Sequence, residues 1–194
     1  MVTEICPFAE TRPGLWFDVP KLAKPPQFMV GHWTGGEGGA DKVHRVLTQR
    51  ELSVHFVLER PGSLVQMADL GGRCAHAGRR GNVGLGVEAS NQGFPNNDGT
   101  SPMPYDVVTI HGAKVRAVRY TEAQLAKWVA LCEWAATRYG WPRQVPRELR
   151  VLTDAEVSRF RGALEHLHLS DKKADAGGHF VAALVKAGWQ QVDP

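Results

Sequence analysis

The sequence predicts an α/β fold, a single domain in which a central mixed β-sheet is flanked by α-helices. Three observations carry that expectation. Short apolar runs of strand type alternate with segments of helical periodicity, strong turn signals separate them, and 194 residues suit one core of ordinary size. Hydrophobic residues make up 43% and charged residues 22%, with 21 glycines and 12 prolines, the balance of a folded, turn-rich chain rather than a disordered or coiled-coil one.

The elements follow in order. After a proline-rich lead, Gln27 to Gly31 makes a short buried strand that runs through His32 into the loop TGGEGGADK. Ala40 to Arg50 reads as a helix, with Val43, Val46 and Leu47 at helical spacing. Ser53 to Leu58 and Ser63 to Met67 are two strand-type runs joined by Arg60-Pro61-Gly62, hence a hairpin. Asn82 to Ser90 is a further strand, leading into a long irregular stretch from Asn91 to Pro104 that is rich in Asn, Gly and Pro. Thr121 to Gln124 forms a capping box, and Leu125, Trp128, Val129, Cys132, Ala136 and Tyr139 recur every three or four residues until Gly140 and Pro142 stop the helix. The last third holds a short helix over Thr153 to Phe160, a short strand over Gly162 to His166 and a closing helix over Gly178 to Ala187.

Several function classes are disfavoured by composition. The net charge is +3, and the densest basic spots, Arg79-Arg80 and Lys172-Lys173, are only pairs, so nucleic acid is not an expected partner, while a mild attraction to an anionic polymer is. Cys6, Cys74 and Cys132 are far apart, odd in number and without CxxC spacing, which suggests neither a disulfide framework nor a cysteine zinc site. The start lacks a basic n-region and an apolar h-region, and no run reaches the length of a membrane span; synthesis in the cytoplasm and no membrane insertion are expected.

Eight histidines are the chemically suggestive residues. His32 ends an apolar strand, where a lone imidazole is usually a hydrogen-bonded core residue. A second cluster, LEHLHLSDKKADAGG, places Asp175 nine residues after His166. Two imidazole nitrogens and one carboxylate oxygen would fill three corners of a zinc tetrahedron and leave the fourth for water, as a catalytic site needs. Spacing alone leaves His168 as a rival to His166, and Asp171 as a plain surface residue.

The order of the motifs adds to this. MVGHWTGG, LSVHFVLERPGSLVQMADL, AHAG, NVGLGVEASN, YTEAQLAKWVALCEWAATRYGWP and HLHLSDKKADAGGHF together resemble the zinc-dependent N-acetylmuramoyl-L-alanine amidases, the amidase type 2 superfamily that includes peptidoglycan recognition proteins and phage lysozyme-like endolysins. The similarity runs from about residue 27 to about residue 187. It implies one catalytic domain over residues 1–194, without a separate wall-binding domain, and one Zn2+ per chain held by His32, His166 and Asp175. Glu88 would deprotonate water, and Lys173 would stabilise the oxyanion. In some branches a tyrosine precedes the hairpin histidine; Val54 stands there, which leaves Glu88 as the base. His55 and His76 match positions that line the substrate groove. The family's closing Asp-Pro-Gly is Asp175-Ala176-Gly177 here, a turn without the stiffening proline.

The implied reaction is hydrolysis of the amide between N-acetylmuramic acid and L-alanine of the peptide stem, with bacterial peptidoglycan or muropeptide as partner. The stretch from Asn91 to Pro104 would wall the groove. The implied setting is a monomeric phage-type endolysin released through a holin-type pore. The alternatives are a cytoplasmic amidase that recycles anhydromuropeptides and a non-catalytic binding module.

Overall fold

The computed structural model describes residues 3–96 and 103–194. In chain order these form β1 (Phe28–Trp33), α1 (Ala40–Gln49), β2 (Phe56–Leu58), β3 (Leu64–Gln66), the single turn α2 (Gly78–Gly81), β4 (Leu85–Ala89), β5 (Tyr105–Ile110) and β6 (Ala113–Val118). They continue with α3 (Glu122–Tyr139), β7 (Gln144–Pro146), α4 (Asp154–Arg159), β8 (Gly162–Glu165), a 3-10 turn over His166–His168, α5 (His179–Lys186) and β9 (Gln190–Val192).

The expected mixed sheet has five strands in the order β3-β2-β4-β1-β8, with β2 and β3 antiparallel and the other pairs parallel. Alternation along β1 sorts its two faces. Met29 packs into the large cluster built with Trp128 and Leu131 of α3 and Phe180 and Leu184 of α5, whereas Phe28 and Val30 meet Leu152, Val157 and Phe160 around α4. His32 shares the parity of Phe28 and Val30, so its side chain projects on the face away from α3 and α5. On that face α1 packs Val43 and Leu47 against Val57 and Val65. The opposite face is sealed by Trp128 and Phe180, fully buried and stacked with ring centroids 4.4 Å apart.

Local signals explain the ends of the helices. Thr121 and Gln124 exchange both bonds of the capping box, and Gly140 closes α3 with φ 67°. Thr153 and Glu156 make a second capping box at α4. At α1 the residue before the helix is Gly39, which has no side chain to cap with; Glu59 does it from the hairpin, accepting from the Ala40 N–H at 2.8 Å.

Four strands were not foreseen. The β5–β6 hairpin alternates poorly because its outer face keeps Val107 60% exposed, and β7 and β9 have three residues each, too few for a period to show. The irregular stretch expected from Asn91 to Pro104 lies partly, at 97–102, outside the described residues. Among the described residues no helix is long and apolar enough to cross a membrane.

Candidate metal and catalytic site

The parallel register sets His32 of β1 beside Glu88 of β4. On the other side of β1, β8 ends at Glu165, and His166 follows at the carboxyl end of the sheet. Asp175 arrives from the segment before α5. The three donor atoms converge: His32 Nδ1 lies 3.0 Å from His166 Nδ1 and 3.1 Å from Asp175 Oδ2, and His166 Nδ1 lies 3.0 Å from the same oxygen. All three residues are buried.

The proton on His32 can be placed by following its second nitrogen. His32 Nε2 is 3.0 Å from His76 Nδ1, and His76 Nε2 is 3.3 Å from the Gly84 carbonyl oxygen. A carbonyl only accepts, so His76 carries its proton on Nε2 and its bare Nδ1 accepts from the His32 Nε2–H. His32 therefore presents an unprotonated Nδ1 to the cluster, the state a metal ligand requires. Gly86 makes room for this relay, since a Cβ there would stand 2.7 Å from the His76 ring. His76 is kept neutral by burial and by its neighbours His32 and His55, which push its pKa well below the usual value.

The donor set fits zinc. Bonds of about 2.0–2.1 Å in a tetrahedron put ligand atoms about 3.3 Å apart, close to the spacing here, and two imidazoles with one carboxylate leave an open position. Burial disfavours the Asp175 carboxylate, but the neighbouring imidazoles of His166 and His32 outweigh it and hold the group ionised, well below the usual carboxylate range. Burial lowers the pKa of His32, against the pull of Asp175. Among the described residues, His32, His166 and Asp175 form the one such group of metal-ligating side chains.

His166, not His168, meets His32 and Asp175. His168 is fully buried elsewhere, its Nδ1 accepting from the Glu165 N–H at 2.9 Å. The structure also places His55 away from the groove wall expected for it. His55 is fully buried, accepts from the Gly86 N–H at Nδ1 (3.0 Å) and donates from Nε2 to the Gly72 carbonyl (2.9 Å). Burial holds His55 and His168 each at a pKa of about 4, so the unfolded chain takes up their protons near pH 6.5 and the folded chain does not until near pH 4. Their contribution is intact above pH 6.5 and is lost as pH falls through that window, by up to about 3 kcal/mol for each. The raised carboxyls Glu88 and Glu165 act in the opposite sense over the same window, so the check is site-specific: in an NMR pH titration of the zinc-free protein both rings are expected to stay neutral down to about pH 4, and protonation of either near pH 6.5 contradicts neutral burial.

Glu88 borders the same cleft, a hollow of about 440 Å³ whose walls include Trp33, Val43, Leu47, Arg50 and Lys173. Its Oε2 is buried and has no hydrogen-bond partner. Burial raises its carboxyl pKa to about 8, the negative charge of Asp175 adds to this, and Lys173 and Arg50 oppose it. Lys173 is exposed on the loop before Asp175, and its charge acts on both His32 and Glu88.

The turn that presents Asp175 is stiffened in a way the sequence reading missed. Glu165, fully buried, accepts from the Gly178 N–H at 2.6 Å and the Val181 N–H at 2.9 Å, while the Leu167 N–H donates to the Asp175 carbonyl at 2.7 Å. One residue thus ties the strand carrying His166 to the segment carrying Asp175. Burial lifts its carboxyl pKa to about 7 against those backbone donors. A lone carboxylate inside the apolar strand GALE was the signal available for it.

The family model of N-acetylmuramoyl-L-alanine amidases matches residues 22–178, which include every residue of the site. The chain belongs to that family. No curated protein sequence matches it. Among solved structures, this amidase is similar to the endolysin LysCS from Clostridium intestinale URNW (TM-score 0.63, 14% identity, 95% of this chain and 97% of that one). It is also similar to the Ph2119 endolysin of a Thermus scotoductus MAT2119 bacteriophage (TM-score 0.55, 12% identity, 92% and 93%). A third is AmiD from E. coli, solved in complex with anhydro-N-acetylmuramic acid-L-Ala-D-gamma-Glu-L-Lys (TM-score 0.58, 18% identity, 92% and 63%).

Proposed function

We propose that this amidase hydrolyses the bond between the lactyl group of N-acetylmuramic acid and L-alanine in bacterial peptidoglycan, with one zinc ion held by His32, His166 and Asp175. The observation that carries the reading is the meeting of three buried donor atoms within 3.0–3.1 Å, beside a carboxyl group that has no partner of its own. When bound, the metal supplies a Lewis acid that polarises the scissile carbonyl and brings the pKa of water down to about 7.

The chain's own groups do the rest. Glu88 accepts the proton of the attacking water and returns it to the departing alanine nitrogen, a double task suited to a carboxyl poised near neutrality. Lys173 donates to the carbonyl oxygen as the carbon becomes tetrahedral. No covalent enzyme intermediate is needed. The apolar side chains of α1 suit the alanine methyl, and Arg50 suits the free carboxylate that a γ-linked glutamyl residue retains. His76 acts from behind His32 by fixing its tautomer, and His55 supports the hairpin.

The biological reading is a phage-type lysis enzyme that acts on intact wall after release through a holin-type pore. The alternative is an enzyme of soluble muropeptide recycling with the same chemistry; the AmiD structure similar to this one holds a soluble anhydromuropeptide. Zinc-loaded protein on purified sacculi should release stems with a new N-terminal alanine, read by mass spectrometry. New reducing sugar ends or cuts inside the stem would refute the assignment. Greater turnover on soluble anhydromuropeptides than on sacculi would favour recycling.

A further inference from the structure

The cleft at the metal ligands does not end there. A second hollow of about 440 Å³ shares Trp33, Lys173 and Asp175 with the first, and a third of about 450 Å³ shares Phe94 and Val115 with the second. The first two flank the metal ligands and suffice for the two sides of one scissile amide. The third lies beyond them, a shallow open hollow between Phe94 and the β5–β6 hairpin.

Its walls are built rather than incidental. Asn91 is fully buried; its Nδ2 donates to the Val118 carbonyl (3.1 Å), its Oδ1 accepts from the Gly93 N–H (2.6 Å), and the Gly93 carbonyl accepts from the Val118 N–H (2.8 Å). Gly93 adopts φ 84°, and a Cβ there would stand 2.7 Å from the Trp33 indole, so glycine permits the close approach. The following residue, Phe94, is thereby set edge-on to Trp33 with centroids 4.9 Å apart while staying 48% exposed. Beyond it, Lys114 and Arg116 project from β6, and Lys172 borders the second hollow. Among the described residues none of these three cations has a carboxylate partner; Arg116 lies over the Tyr105 ring at 5.8 Å. Among the described residues that line the second and third hollows, Asp171 and Asp175 are the carboxylates.

An exposed ring continuing an aromatic wall offers a stacking face for a sugar, and unpaired cations beyond it complement anions. Resting on the amidase reading above, we infer that the third hollow receives a neighbouring repeat of the polymeric wall strand, with a sugar face on Phe94 and the free carboxylates of that repeat's peptide stem at Lys114, Arg116 and Lys172. The substrate class is then polymer: a soluble single unit fills the first two hollows and never reaches β6.

The test uses the full chain carrying Lys114→Glu and Arg116→Glu together, on surface positions of β6 outside the core. Walls stripped of phosphodiester polymers are the probe, so that stem carboxylates are the anions present. Zinc-free parent should sediment with these walls, less so as salt rises, and the double variant should bind about tenfold more weakly. Zinc-loaded variant should turn over a soluble muramyl peptide within about twofold of parent and sacculi about tenfold more slowly. Unchanged sedimentation, absence of sedimentation by the parent, binding that disappears when phosphodiester polymers are stripped, or equal losses on both substrates overturns the inference. A parent that sediments normally yet cuts neither substrate refutes the amidase reading and leaves this surface standing.

Discussion

Asp175→Ala and His32→Ala are each expected to yield folded protein that retains no zinc after dialysis and has no measurable amidase turnover. The reason is geometric. Three donor atoms lie within 3.0–3.1 Å of one another, among the described residues no other side chain completes such a group, and Cys6, Cys74 and Cys132 are buried free thiols outside it. Two remaining ligands bind far more weakly than three, because the site was already organised around all of them. Folding should survive, since the core is carried by α3, α5 and the sheet rather than by the metal cluster. Zinc analysis and circular dichroism check both halves, and parental zinc content in either variant contradicts the ligand set.

Glu88→Gln is expected to separate binding from chemistry. The amide keeps the volume and the strand position beside His32 but cannot accept a proton from water, so zinc content should match parent while kcat falls by about 10²–10⁴-fold. The fall should appear in kcat and kcat/KM alike, as for an interaction made in the transition state. The buried, unpartnered Oε2 of the native side chain is unfavourable for the folded state, so this variant should also be at least as stable as parent in urea. Near-parental kcat assigns the base elsewhere.

Much of this site was legible in sequence because its parts sit at element ends, where polarity breaks an apolar run. His32 interrupts β1, Glu88 interrupts β4, and the loop before α5 concentrates His166, Lys173 and Asp175 within a few residues. Helices were equally visible: the α3 capping box is as strong in the chain as in the fold. What stayed hidden depends on which partner a side chain finds across the sheet. His55 and His76 are both histidines near the hairpin, yet one is locked between two backbone groups and the other stands behind His32. No spacing distinguishes them. Glu165 likewise acts through residues thirteen and sixteen positions away, and the β5–β6 hairpin gave little alternation because it carries the apolar Val107 on its exposed face.

The most direct measurement is X-ray absorption at the zinc edge of the loaded protein, which counts and identifies the atoms around the ion. Two imidazole nitrogens and oxygen neighbours at about 2.0–2.2 Å are expected, with the same spectrum in His168→Ala, whereas His166→Ala, like His32→Ala, should retain no zinc to give one. A sulfur neighbour at about 2.3 Å, or loss of an imidazole on replacing His168, would contradict the three-residue metal site.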